Sequence, residues 1–452
     1  MWKTLKIVVL VVSLSLTALS QESVTYPETK KIPHSFHYHD VEVVDPYFWL
    51  EDDRSPETEA WVKSQNAVTQ KYLETIPFRG ALKERLQSLL DYERISAPSK
   101  HGKYYYFFKN DGLQNHAVLF RVPASNLHAE PEVFLDPNTF SDDGTTGLAD
   151  IEFSKDGTLA AYMITEGGSD WRKVIVIDTA TKEQLETPLE DVKFSNIAWL
   201  GNHGFYYSSY DNPDKADGSQ LSSKTQEHKL LYHKLGTPQN QDELIFGGSQ
   251  RPTRYIGGGV PEDQRYLVVT AAQNTSGNQL FIKDLEDPNG KFIEIQSDYF
   301  KTADIVHNES DRFFMYTDID APNYRLVSFE LKSPQKSAWR DVIPESSNVV
   351  TVSAGGGKLF ASYLVDAKTE VRQYDTQGKL ERKVELPGIG TADGFSAKLK
   401  DDHLYYTFTS FTVPPTIYRY DIADGKTSLY RQPKVDFNPA EYTTEQVFFK
   451  SK

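Results

Sequence analysis

Three histidines within six residues, His34, His37 and His39, followed at once by Asp40, form the densest group of potential metal ligands in the chain. Imidazole and carboxylate donors together suit zinc or a similar divalent ion. In an extended segment, however, His37 and His39 project to one face and His34 to the other, so the same spacing is met by solvent-facing or capping histidines. Nucleophilic serine chemistry on a strand-to-helix elbow needs G-x-S-x-G, because glycines on both sides let the serine occupy a strained turn. No such pentapeptide occurs. The nearest approaches, Gly168-Ser169-Asp170 and Gly394-Phe395-Ser396, read as turns. The acid pairs Glu51–Asp52, Asp142–Asp143 and Asp401–Asp402 also fall in predicted turns, where carboxylates bond their own backbone and face water. The glycine runs 257–259 and 355–357 lack the following Lys and Ser/Thr of a phosphate loop, and predict close backbone packing instead. Cysteine is absent, which removes disulfides, thiolate metal sites and cysteine nucleophiles. Read this way, the residues assign no catalytic, cofactor-binding or metal site.

The chain that must position any chemistry has 452 residues, with 49 Lys+Arg against 64 Asp+Glu and a formal charge of −15. That acidity argues against a sequence-independent nucleic-acid binder. A hydrophobic fraction of 38%, with Gly 27 and Pro 23, excludes collagen-like and disordered classes. The first twenty residues have the pattern of an export signal. Lys3 and Lys6 precede an apolar run through Leu19, and Ala18 with Ser20 supplies the small residues that predict cleavage between Ser20 and Gln21. The run is short and rich in Ser and Thr for a membrane anchor, and no second apolar stretch follows. A periplasmic or secreted product without membrane attachment is expected.

Residues 21–99 have a helical texture. Ser55 is placed to cap a helix, with Pro56 at its first position, Glu57 and Glu59 in its first turn, and Trp61, Val68 and Tyr72 along one stripe. Leu82, Leu86, Leu89 and Leu90 mark a second amphipathic helix. From residue 100 to about 440 the period changes to two. Strand runs of one kind begin near Tyr104, Leu159, Phe205, Tyr266, Phe313, Leu359 and Leu404. Each is followed by a second strand, near Leu119, Val174, Leu230, Leu280, Tyr324, Glu370 and Ile417. Seven cycles of about 50 residues predict a mainly β chain with a seven-bladed β-propeller behind a short helical segment. A pair of β-sandwiches is the alternative, but it does not require equal cycles. Residues 211–229 stretch the third cycle and read as a protruding insertion.

DPYFWLEDD at 45–53, KNDGLQNHAVLFR at 109–121, LDPNTFSDDGTTGL at 135–148, GSDWR at 168–172, LYHKLGT at 231–237, PNYRLV at 322–327 and FTSFTVPPTIY at 408–418 are collinear, and together they resemble the N-terminal portion of the prolyl oligopeptidase family of serine peptidases. The resemblance spans Tyr26 to Lys452. It implies that 21–99 is a helical segment associated with an α/β-hydrolase domain, that 100–440 is the propeller, and that 441–452 is a truncated linker toward that hydrolase. It also implies that the catalytic Ser, Asp and His have no counterparts here. In the family a propeller arginine contributes to the substrate pocket, and in an ungapped alignment its position is Ala271. Two functions are expected from this reading. The first is a propeller that gates short proline-containing peptides to a hydrolase half, separately encoded if the protein is split. The second is a stand-alone secreted propeller that binds peptides or proteins without turnover. Neither requires a cofactor.

Overall fold

A computed structural model describes residues 24–211 and 225–451. The expected export signal at 1–20 and most of the insertion expected at 211–229 lie outside the described residues. The chain divides into two units, one ending at Glu84 and one beginning at Arg85.

In the first unit, strands Ser35–Tyr38 and Val41–Val44 pair antiparallel. His39 and Asp40 between them both have positive φ (48° and 64°), the two-residue turn whose twist matches a hairpin. Helix α1 (Pro56–Glu74) begins as its sequence predicts. The Ser55 hydroxyl accepts the Thr58 N–H at 3.1 Å, Pro56 occupies the first turn, and Glu57 and Glu59 face the positive end of the helix dipole. The Trp61 indole donates to Thr29 Oγ1 at 3.0 Å. Helix α2 (Arg79–Leu90) crosses the division between the units, and Leu82, Leu86, Leu89 and Leu90 are all exposed.

The second unit is a seven-bladed β-propeller. Its seven antiparallel sheets lie at 94–135, 146–193, 198–247, 255–296, 303–343, 350–383 and 391–431, hereafter blades 1 to 7. Each is laid down in chain order from first strand to fourth, and blade 1 splits its first strand into two short pieces. The two strand runs legible in every cycle are the second and third strands of each blade. For example, Tyr266–Ala272 and Gln279–Asp284 are the middle pair of blade 4.

Side-chain alternation along these middle strands explains the ring. Leu267, Val269 and Ala271 of blade 4 pack with Tyr206 and Leu230 of blade 3, whereas Tyr266 packs with Phe313 and Met315 of blade 5. Each sheet therefore needs a neighbour on both faces. Six apolar clusters join consecutive blades from 1–2 through 6–7. Among the described residues no such cluster joins blade 7 to blade 1. At that seam Lys398 Nζ donates to the Lys100 carbonyl at 2.8 Å, and the Arg431 guanidinium lies 5.9 Å from the buried Phe107 ring. A cleft of about 350 Å³ opens at the seam, lined by Tyr92, Arg94, Ile417, Arg431 and Pro433 among others.

The glycine run at 257–259 forms the first strand of blade 4 with Tyr255 and Ile256. A Cβ on Gly258 would lie 2.6 Å from Leu230 of blade 3, so the expected close packing is present. A buried ion network fastens the outer part of blades 2 and 3. His233 is 1% exposed, with Nδ1 2.8 Å from Asp242 and Nε2 3.0 Å from Glu186, and Tyr207 donates to Asp242 at 2.8 Å. Burial alone would push the His233 pKa down, but hydrogen bonds to Asp242 and then Glu186 hold it up at about 9.

Because this pKa is raised above its unfolded value of about 6.5, the stabilisation is complete below pH ~6.5 and is lost as pH rises through about 9. His101, His228 and His307 have depressed pKa values, so above pH ~6.5 they are neutral both folded and unfolded and add no slope. His233→Gln is expected to cost on the order of 3 kcal/mol at pH 6. In urea unfolding the gap between wild type and variant should close toward pH 9.5; a gap independent of pH would show that the ring is not held protonated. The seam without a shared apolar cluster leads to a second expectation. In native-state amide exchange, strands Tyr104–Asn110 and Thr416–Asp421 should lose protection before Tyr266–Ala272, and uniform protection around the ring would contradict it.

Candidate functional site

First strands border the central bore, so its two ends are built from different loops. One rim carries the start of every first strand, the turns between second and third strands, and the end of every fourth. The chain enters blade 1 at Arg94 and leaves blade 7 at Arg431 on this rim, and both residues line the seam cleft. The opposite rim carries the turns from first to second strands.

The first rim holds an aromatic and cationic patch over blades 2 to 4. Lys193 Nζ lies 4.8 Å from the Trp171 ring and 5.2 Å from the Phe194 ring. Phe194 stands edge-on to Tyr255 at 5.7 Å and to Tyr210 at 6.4 Å. Arg254 lies 4.2 Å from the Tyr299 ring and donates to Gln273 Oε1 at 2.9 Å. Phe194 is 42% exposed and has φ +53°, a left-handed conformation that is strained for a bulky residue. His228, wholly buried beneath the patch, fixes it to the blades. Its Nδ1 accepts the Ile256 N–H at 2.8 Å and its Nε2 donates to the Lys193 carbonyl at 2.9 Å. Burial lowers its pKa, which agrees with a neutral ring in this tautomer. Such a surface can stack on rings and hold carbonyl or anionic groups, which is recognition chemistry. No motif in the sequence marks Phe194; its signal is the backbone strain, which only coordinates reveal.

The opposite rim is charged. Two adjoining cavities of about 620 and 410 Å³ share Lys155, Gly259, Val260 and Glu262 in their walls. Glu152, on the wall of the smaller one, has its pKa raised to about 7 by burial and then by Asp150. His101, on the same wall, is pushed down to about 4 by burial and then by the Lys398 charge.

The histidine cluster does not converge. His34 stacks on Phe48 at 4.1 Å, His37 sits in the hairpin strand opposite Glu42, and His39 and Asp40 form its turn. Among the described residues no group of three potential ligands could hold a metal ion. Ser169 caps a turn by accepting the Trp171 N–H at 3.1 Å, and Ser396 lies in the loop after the first strand of blade 7. Asp143 accepts bonds from Ser141 and Thr145, as a turn acid does. Ala271, where an ungapped alignment puts the family's pocket arginine and to which that contact therefore does not carry over, is fully buried against blade 3. Among the described residues, no histidine ring is hydrogen-bonded to a serine or threonine hydroxyl.

The family described as "Prolyl oligopeptidase, N-terminal beta-propeller domain" matches residues 27–433. A prolyl endopeptidase of Elizabethkingia miricola is 51% identical over 437 residues, covering 97% of this chain and 61% of that protein. One from Elizabethkingia meningoseptica is 50% identical over 449 residues, covering 99% of this chain and 63% of the relative. Among solved structures, a prolyl endopeptidase studied for inter-domain dynamics superposes with a TM-score of 0.84 at 30% identity, over 95% of this chain and 63% of that one. Prolyl oligopeptidase B from Galerina marginata, bound to a 25-residue macrocyclization substrate, gives 0.82 at 26% identity over 94% and 63%. The chain thus spans about three-fifths of the length of these relatives. With blade count, strand order and sequence in agreement, it belongs to the prolyl oligopeptidase family, of which it carries the N-terminal β-propeller.

Proposed function

We propose that this chain is the propeller portion of an exported, proline-directed serine peptidase, and that it gates short peptides to a hydrolase portion bearing Ser, Asp and His. The observation that carries this reading is the 51% identity to a prolyl endopeptidase along 97% of the chain. In this scheme the hydrolase attacks the bond after proline through an acyl-enzyme. The propeller contributes exclusion: a bore walled by seven rigid sheets passes an extended peptide and refuses a folded one. The aromatic patch around Phe194 lies on the rim where the chain enters and leaves the ring, and a peptide held there would meet stacking rings and the cations Lys193 and Arg254. Exposed apolar side chains support docking of a further domain. Phe411 on the same rim is fully exposed, and Val447, Phe448 and Phe449 are 75%, 73% and 89% exposed. Secretion or a periplasmic location is part of the proposal and rests on the leader at 1–20.

The test combines this chain with the portion of the Elizabethkingia miricola prolyl endopeptidase outside the matched 61%. The pair is expected to release chromophore from a short proline-containing peptide in a manner blocked by serine reagents, and to spare a folded protein. The chain alone is expected to release none. Hydrolysis by the chain alone, or equal cleavage of short and folded substrates, would overturn the gating role, and peptide binding that no hydrolase portion ever converts to turnover would favour the stand-alone propeller. In a second measurement, the chain by itself should bind an apolar fluorescent dye, and Phe448→Ser with Phe449→Ser should reduce that signal; a dye-silent wild type would count against a docking surface.

A further inference from the structure

The loop after the first strand of blade 7 departs from the pattern of its neighbours. Blades 5 and 6 turn between their first and second strands in two residues, 310–311 and 356–357, whereas blade 7 uses 394–402. This loop is braced on both sides, by the Gly356 N–H bonded to the Lys398 carbonyl at 3.0 Å and by Lys398 Nζ on the Lys100 carbonyl. Its tip spans the bore. The Leu399 N–H donates to Glu262 Oε2 at 2.9 Å, and Glu262 belongs to blade 4, three places away in a ring of seven. Glu262 lines both adjoining cavities, of about 620 and 410 Å³, while Leu399 lines the larger and Lys398 the smaller.

Charges of both signs surround that bond, with Glu152, Glu262 and Asp263 on the cavity walls beside the lysines. Lys398 and Lys400 flank Leu399, and Lys155 of blade 2 lines both cavities. Among the described residues, neither Lys155 nor Lys400 has an ion-pair or hydrogen-bond partner; the Lys398 ammonium bonds a carbonyl, and its backbone N–H donates to Asp401 Oδ2 at 2.9 Å. Two of the other charges nearby have partners of their own. Lys358 pairs with Glu381, and Asp263 accepts from Asn308 at 2.6 Å and from the Arg265 N–H at 3.1 Å. Three ammonium groups without carboxylate partners thus line the two cavities that adjoin an amide already holding a carboxylate. Charge-assisted bonds from a backbone N–H to a carboxylate are the stronger kind, and partly enclosed ammonium groups draw anions into a cleft.

We propose that this mouth is a docking site for the terminal carboxylate of a peptide, and that Glu262 occupies the site in the resting ring. An arriving carboxylate displaces Glu262 from the Leu399 amide, is held by Lys155, Lys398 and Lys400, and leaves the two cavities joined as one opening. That the anion belongs to a peptide rests on the proposed peptidase reading. The docking needs no turnover, so its measurement on this chain stands apart from the fate of that reading.

The probes are N-acetyl-hexaglycine as the free acid, the same peptide as its C-terminal amide, and an amide with one internal glutamate. Calorimetry on Glu262→Gln should show the free acid binding about tenfold more tightly than to wild type, as expected when a competing charged bond is removed, and more tightly than either amide. The affinity should fall with added salt. Combined Lys155→Gln, Lys398→Gln and Lys400→Gln should abolish the preference for the acid, with melting temperature as the control for folding. In the wild-type chain, which avoids any question of folding, the acid should shift the Leu399 amide resonance and the amide should not. Equal binding of acid and amide, acid binding that survives loss of the three lysines, or no acid binding at all would overturn the site. Equal binding of the internal-glutamate peptide would overturn its assignment to the terminal group.

Discussion

Burial of both faces of every four-stranded sheet is the constraint on which the rest of the ring depends. A single blade exposes one apolar face through residues such as Leu267 and Val269 and another through Tyr266, and only adjacent blades cover them. Seven blades placed edge to edge need seven such pairings. Among the described residues six have an apolar cluster, and the one between blades 7 and 1 has none, though a lysine on a carbonyl and an arginine near the Phe107 ring cross it. No strand is shared across that seam, since each of the seven sheets takes its strands from one stretch of chain. The ring is therefore most weakly cemented where its two chain ends come together, and blade 7 compensates with a long loop that reaches blades 1, 4 and 6 at once.

That arrangement separates scaffold from chemistry. Side chains of the middle strands are consumed in packing, and residues free to meet a ligand lie on the rims. The two rims have distinct characters: rings and cations around Phe194 on one, lysines around a single carboxylate latch on the other. His228 illustrates how a rim residue is held. Neutral and fully buried, it bonds Lys193 of blade 2 and Ile256 of blade 4 from its own place in blade 3, so the patch above it spans three blades as one body.

The middle strands were legible because most of their residues are at least half-buried, giving apolar-rich runs such as Tyr104–Phe108 and Leu267–Val269. Fourth strands such as Leu380–Lys383 are largely exposed, and first strands such as Thr391–Asp393 are short, so neither carries a periodic signal. The Ser55 cap was legible because capping is local chemistry within four residues. The rims were not. The left-handed backbone of Phe194 is imposed by packing around it, and the contact between Leu399 and Glu262 joins turns 137 residues apart that each read as ordinary loops. Ala271 shows the same limit from the other side. A position reached by counting along a strand is one residue from the opposite face, and Ala271 lies on the face buried against blade 3.

The glycine run in blade 4 joins the packing constraint to the bore. Gly258 lets that first strand approach Leu230 of blade 3 more closely than any side chain would allow. The next residue, Gly259, has no atom within 4 Å of where its Cβ would be, and it lies on the walls of both cavities. The requirement that draws blade 4 tight against its neighbour thus also leaves its own part of the wall bare at this level. Other first strands do bring polar groups to these cavities, Glu152 of blade 2 and His307 of blade 5 among them, and the loops at the ends add more. In this protein those loops carry the strained aromatic ring at one end and the unpartnered lysines at the other.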